Sequence, residues 1–324
     1  MSEKSMPEVI CLGELLIDFI PVVTGMDLIS TPAFKKAAGG APGNVAVGLQ
    51  QLGIDTGFIG KVGDDPFGHF LIKALSDKGV DTTSVLYSEE ARTGLAFVSL
   101  KADGDREFMF YRHPSADMLL CADEIDDDAI KAAKVLHIGS ITLIDDPVRR
   151  ATLHAIDVAI EAGCLISYDP NFRPALWPDE AAAKEGLLLG LSKANIVKMS
   201  EDEVEFLTGI SDLEEAKNRL WHDKLELMVI TRGSNGCCYF TSKHRGEVDG
   251  FKVNAIDATG AGDGFVAGLL QGILKKPECI NNPASLKALC RFANAVGAIT
   301  TTERGGIPAL PNFETVQYFI DSNS

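Results

Sequence analysis

Between residues 135 and 231 the chain alternates short apolar runs with amphipathic stretches, and few architectures accept that order. Val135-Leu-His-Ile-Gly139 reads as a strand, followed by a helix opened by Asp146-Pro147 and closed by Gly163. Cys164-Leu-Ile-Ser-Tyr168 is the next strand. Asn195-Ile-Val-Lys-Met199 follows, with a helix to Gly209, a second helix from Asp212 to Asp223, and the strand Leu227-Met-Val-Ile-Thr231. Such alternation predicts an α/β fold, a mostly parallel sheet with helices on both faces. Ligands in such sheets bind beyond the carboxyl ends of the strands. Asp169, Ser200, Thr231 and Asp257 fall at those ends, the last after an extended run from Phe251 to Ile256.

Asp257-Ala-Thr-Gly-Ala-Gly-Asp263 then leads into the apolar helical stretch Gly264–Leu274. A small-residue turn at a helix start aims free backbone N–H groups, at the positive end of the helix dipole, toward one point. Anions, phosphate above all, bind there. Gly260 and Gly262 carry no side chain to keep a phosphate away. Asp263 in the first helical turn has two readings. It caps the helix or complements the dipole, or it is the base that takes a proton from an attacking hydroxyl while N–H groups hold a moving phosphoryl. Two other phosphate loops are excluded. The Gly60-Lys61 pair is followed by Val62, not Ser or Thr. A dinucleotide fingerprint needs Gly at 265, where Phe265 stands.

The earlier chain supplies further elements. Val9–Leu12 is a buried strand, and Leu15–Ile20 continues extended past Gly13-Glu14. Asp18 in that run either faces solvent or needs a partner. The loop Ala38-Gly-Gly-Ala-Pro-Gly-Asn44 precedes a helix from Val45 to Gly53, and Asp65-Pro66 opens another that Gly79 ends. Thr93–Leu100 and Arg106–Arg112 read as a hairpin turned at Asp103-Gly104. Arg112 suits a polar or anionic substrate group or a surface ion pair. Ser200-Glu-Asp-Glu203 is a capping box. Toward the end, Ser285–Val296 is a helix, Arg304–Pro308 a loop and Asn312–Ile320 a short helix.

Charge and composition narrow the function. A net charge of −16 argues against a nucleic-acid surface, and means that any ATP site is made favourable locally. Seven irregularly spaced cysteines, two adjacent at Cys237-Cys238, suit reduced thiols in a cytoplasmic protein. Met1–Glu8 has neither signal nor transit character, and no apolar run is long enough to span a membrane.

The stretch from Asp257 to Asp263 resembles the C-terminal signature of the ribokinase-like (PfkB-type) carbohydrate kinases, with Ala258 where Thr is usual. The resemblance runs over nearly the whole chain. It implies a three-layer sandwich as one domain, 1–324, with a small β-sheet lid from about 15–36 and 92–114. Gly13–Pro21 and Phe110-Tyr-Arg-His-Pro-Ser-Ala-Asp-Met-Leu-Leu120 are similar to fructokinases, and Asp169-Pro-Asn-Phe-Arg173 to those and to 2-keto-3-deoxygluconate kinases. The resemblance implies Asp263 as catalytic base, with Gly260, Ala261 and Gly262 as the anion hole. It implies a sugar site of Asp18, Gly39, Gly40, Asn44, Phe110, Arg112, Asp169, Asn171 and Arg173, and a nucleotide site of Ser200, Glu203, Thr231, Gly233 and Asn294. Glu203 would act on Mg²⁺ through water, and Asp257 and Thr259 would border a K⁺ site. ATP-dependent phosphorylation of fructose at O6 is the expected activity, with a homodimer formed through the lid. A 2-keto-3-deoxygluconate kinase or another ribokinase-like sugar kinase, and an inactive regulatory or scaffold relative, are the alternatives.

Overall fold

The computed structural model describes residues 6–23, 25–100 and 106–323. In chain order its elements are β1 (Val9–Leu12), β2 (Leu16–Pro21), β3 (Phe34–Gly39), α1 (Ala41–Gln51), β4 (Thr56–Gly63), α2 (Pro66–Ser76), β5 (Val85–Ser88), β6 (Gly94–Leu100), β7 (Arg106–Tyr111), α3 (Asp127–Ala132) and β8 (Val135–Ile138). There follow α4 (Val148–Ala162), β9 (Leu165–Tyr168), α5 (Glu180–Leu191), β10 (Ile196–Ser200), α6 (Glu201–Thr208), α7 (Leu213–Leu220), β11 (Leu227–Thr231), β12 (Cys237–Phe240) and β13 (Arg245–Val248). The last part holds α8 (Ala261–Lys275), α9 (Pro283–Thr300), α10 (Gly306–Ala309) and α11 (Phe313–Ser322).

Among the described residues nine strands form one sheet in the order β13-β12-β11-β10-β9-β8-β1-β4-β5. The run from β11 to β5 is parallel, and β12 and β13 are antiparallel additions at one edge. Successive strand residues serve opposite faces. Val9, Cys11, Ile196, Val229 and Cys237 join the core under α1, α8 and α9. Ile10, Leu12, Val197, Ile230 and Cys238 join the core under α4, α6 and α7. Fully burying a Leu or Ile contributes about 1.5–3 kcal/mol. A one-residue slip would move every such side chain into the wrong core, so the pattern fixes the register.

A second sheet, in the order β3-β2-β6-β7, stands apart from the first. The Asp103-Gly104 turn expected between β6 and β7 lies outside the described residues. Asp65 anchors this sheet to α2. Its carboxylate accepts from Phe67 and Gly68 N–H at 2.9 Å as an N-cap, and from the Thr93 N–H and hydroxyl at 2.9 Å just before β6.

Several boundaries differ from the sequence expectation. The run from Phe251 to Ile256 is not a strand, so Asp257 does not end one. Ile256 and Asp257 donate their N–H groups to the Thr301 carbonyl at 2.8 and 3.1 Å, beside the end of α9 and away from the sheet. Helix α1 starts at Ala41, with Pro42 in its first turn, so Gly43 and Asn44 are helical. Part of the Arg304–Pro308 loop is the helical turn α10. Helix α7 stops at Leu220, short of Asp223.

Candidate active site

Strand β1 lies between β8 and β4, and the chain leaves it upward through Gly13 and Glu14 into the small sheet. The crevice at such a reversal of strand order is where doubly wound sheets bind ligands. Here it is roofed by the small sheet and closed by the N-terminal ends of α1 and α8. Helices α1 and α8 approach closely because Gly48 faces Ala267; a Cβ at Gly48 would stand 2.7 Å from the Ala267 Cβ. One turn earlier on each helix, this approach brings Asn44 Nδ2 to 2.7 Å from Asp263 Oδ2, to which it donates. Asp263 makes no capping bond at its own helix end. Its carboxylate is buried, stays in the first turn of α8 and lines a cavity.

A cavity of about 130 Å³ opens there, lined by Glu14, Asp18, Gly40, Asn44, Phe110, Asn171, Arg173, Lys198, Gly260, Gly262 and Asp263 among others. Burial pushes the Asp263 carboxyl up to about 6, against the pull of Asn44 and with the help of the Asp169 charge. Burial likewise lifts Asp18 to about 7, although Arg173 opposes it. Asp18 is half-buried and lines the cavity, so it is not a strand residue facing open solvent. A side chain at Gly39 would collide with its carboxylate, so Gly39 makes room for Asp18 and does not itself line the cavity. Arg173 lies over the Phe108 ring, 5.5 Å from its centroid.

Gly260 sits at φ +78° as the N-cap of α8. Ala261 donates its N–H to the Ala258 carbonyl at 3.3 Å, which leaves the next N–H groups of the turn, on Gly262 and Asp263, for an anion. Asp257 ties the turn together: Oδ1 accepts from the Thr259 N–H and hydroxyl at 2.9 and 2.7 Å, and Oδ2 from the Gly305 N–H at 2.9 Å.

A second cavity of about 460 Å³ adjoins the first and shares Ala258 and Gly262 with it. Thr231, Gly233 and Asn294 line it, along with the segment from Phe251 to Val253. Asn294 is buried, and its amide donates to the Val248 and Asp249 carbonyls at 3.3 and 3.2 Å.

Other expected site residues stand back from both cavities. Arg112 is 3% exposed and pairs with Asp117, its Nε donating at 2.7 Å. It is neither a surface ion pair nor part of the cavity wall. Asp169 is buried against Lys198. Ser200 and Glu203 form the expected capping box, and Glu203 also accepts from the Phe172 N–H at 2.7 Å.

Two wall residues went unread in the sequence. Glu14 is 2% exposed, and burial raises its carboxyl to about 7. One oxygen accepts from the Ala41 N–H at 3.1 Å, and the other has no hydrogen-bond partner. Lys198 stands on β10 with its ammonium 3.1 and 3.3 Å from the Asp169 oxygens. Both carried a signal, a charged residue in or beside a buried strand, which needs a partner or a ligand.

Comparison with known proteins agrees with this geometry. Residues 6–312 match the model of the pfkB family carbohydrate kinases. Fructokinase-1 of Zea mays is 51% identical over 314 residues, which cover 97% of each chain. A fructokinase from Xylella fastidiosa, crystallised with bound ATP, superposes with a TM-score of 0.89 at 34% identity, covering 97% of this chain and 98% of that one. A double mutant of a Vibrio cholerae fructokinase, with fructose, ADP and potassium ion bound, gives 0.87 at 34% identity, covering 98% and 99%. This chain belongs to the pfkB family of carbohydrate kinases.

Proposed function

We propose that the protein is an ATP-dependent fructokinase that transfers the γ-phosphoryl group of ATP to O6 of D-fructose. One observation carries the proposal. A small polar cavity and a larger, more apolar one meet at Gly262 on the N-terminal turn of α8, with a proton-accepting carboxylate on the small side. The sugar occupies the small cavity, where Glu14, Asp18, Asn44 and Arg173 face its hydroxyls. Asp263 takes the proton of the attacking hydroxyl. An Asp suffices because the phosphoryl transition state is loose and the proton leaves late. The nucleotide base and ribose occupy the large cavity near Asn294, and the N–H groups of Gly262 and Asp263 receive the developing charge. The small sheet of β2, β3, β6 and β7 acts as a lid that excludes water.

The donors present suit a magnesium ion held by ATP phosphates and water. Both Glu203 oxygens already accept backbone N–H groups, and no three His, Cys, Asp or Glu side chains gather among the described residues. Glu203 retains lone pairs for a metal-bound water. Magnesium would neutralise phosphate charge there. A potassium site beside Asp257 and Thr259 belongs to the same proposal, supported by the ion in the Vibrio cholerae fructokinase structure.

Fructose as the acceptor is supported by relatives named as fructokinases at about half identity. A keto-acid's carboxylate would call on Arg112 and Arg173 together, and Arg112 is buried against Asp117 and does not line the cavity. A coupled ADP-release assay with fructose, 2-keto-3-deoxygluconate, ribose and glucose is expected to show turnover on fructose. Turnover confined to the keto-acid would overturn the assignment. No helix among the described residues is long and apolar enough to cross a membrane. A cytoplasmic location is supported by the seven unpaired cysteines. A homodimer through the lid is supported by its exposed Val22, Met109 and Tyr111, and the assayed preparation is expected to sediment at twice the chain mass.

Protonation is expected to move activity and stability in opposite directions. Glu14 and Asp18 at about 7 and Asp263 at about 6 hold protons in the folded chain that the unfolded chain, near 4, has lost. Their contribution to stability is full below about pH 4 and is lost as pH rises through 6 to 7. The base needs the opposite state. From pH 8 to 5.5, kcat/KM is expected to fall while the urea midpoint of the ligand-free protein rises. A midpoint that fell together with kcat/KM would contradict the raised carboxyl values.

A further inference from the structure

We propose that Lys198 is a catalytic residue whose ammonium contacts the phosphoryl group in transfer and neutralises part of the charge on its oxygens. The inference rests on the kinase reading of the site but not on the identity of the sugar. Lys198 lines the small cavity and is 8% exposed. A Cβ built at Gly262 would stand 3.0 Å from its Nζ, so the ammonium lies over the bare face of the turn where the two cavities meet. An ammonium has three N–H donors. The Asp169 oxygens, at 3.1 and 3.3 Å, take two and leave one for the cavity. Glycine at 262 thus does two things: it bares its own N–H and it gives the Lys198 ammonium access to the same anion.

The surroundings keep the charge in place. Burial pulls the Lys198 pKa down, but the charges of Asp169 and Glu203 outweigh it and hold it above its ordinary value. On the neighbouring strands of the same sheet face, His137 and Ser167 form a neutral floor, with His137 Nδ1 3.0 Å from Ser167 Oγ. Burial and the Lys198 charge depress His137 to about 3, so the imidazole adds no charge of its own beside the ammonium. Asp169 is a positioning residue that aims the ammonium.

In the step itself the bond from the γ-phosphorus to the bridging oxygen of ATP breaks, and ADP leaves with the electron pair. The bond from phosphorus to the sugar oxygen forms, and the hydroxyl proton passes to Asp263. The phosphoryl oxygens carry the charge between those events, within reach of both the α8 N–H groups and Lys198. Removing one well-placed group of this kind costs about 10²–10³ in rate.

Lys198→Met, Lys198→Arg and the double variant Lys198→Met/Asp169→Asn test this on whichever sugar the wild type phosphorylates. Slow ADP release to water serves if no sugar in the panel is turned over. Lys198→Met is expected to lower kcat by about 10²–10³, with ATP still bound by calorimetry and with KM for sugar little changed. Lys198→Arg is expected to recover part of the loss. The double variant is expected to remain as slow as Lys198→Met. If Lys198 merely balances the Asp169 charge, the double variant regains wild-type kcat, and the proposal falls. Should Lys198→Met fail to fold, the double variant, which removes both members of the Asp169–Lys198 pair, and Lys198→Arg decide between the same outcomes. Failure of fructose as the wild-type substrate would remove the fructokinase assignment and leave the Lys198 comparison intact.

Discussion

Replacing Asp263 by Asn is expected to abolish nearly all turnover while sugar binding persists. The substitution keeps the size of the side chain and its contact with Asn44, which can turn its amide to match, since each amide both donates and accepts. What it removes is the only property the transfer step needs from this atom, the capacity to accept a proton. General bases contribute about 10²–10⁴ in rate, and kcat is expected to drop by that amount. Calorimetric titration should still report fructose binding, because Asp18 and Arg173 remain. Near-normal kcat in Asp263→Asn would show that another group receives the proton, and Asp18 would then be the first candidate.

Gly260→Ala is also expected to cut turnover, and by a route that does not touch chemistry directly. At φ +78° an alanine pays a conformational penalty of about 1–2 kcal/mol. Its Cβ would also stand 2.9 Å from the Gly306 Cα, backbone that cannot swing aside. Gly306 in turn abuts the Asn44 amide. The shift therefore spreads from the α8 turn through α10 to the hydrogen bond that holds Asp263. A loss of about 10²-fold in kcat is expected, together with a lower urea midpoint. A variant that lost stability but kept kcat would mean that the turn does not depend on its left-handed residue.

The layers of the fold were legible because each strand repeats one decision, inward or outward, at every residue. Cys237 and Cys238 show it in two adjacent positions that enter different cores. Helix starts were legible where a side chain makes the cap, as Asp65 and Ser200 do. The run from Phe251 to Ile256 misled because strand propensity says nothing about whether a partner strand is present; the N–H of Ile256 goes to the Thr301 carbonyl instead. In the site, Asp263 and Asn44 were readable from their motifs. Glu14 and Lys198 were not, because each depends on a neighbour far away in sequence, Ala41 for one and Asp169 for the other. Arg112 shows the same limit in reverse. Its partner Asp117 lies only five residues on, but nothing in the sequence says that the pair is buried.

The contact between Asn44 and Asp263 joins residues 219 positions apart. On a ribosome adding roughly 5–20 residues per second, α1 emerges tens of seconds before the helix that covers it. Until then Val45, Val47 and Leu49, all fully buried in the finished protein, have no α8 to pack against. Strand β1 faces a related delay, since its neighbour β8 is made more than a hundred residues later, while β4 follows soon after. The amino-terminal third of this kinase therefore lives for a time as an incomplete layer with an exposed apolar face, and demand for chaperones during synthesis should concentrate there.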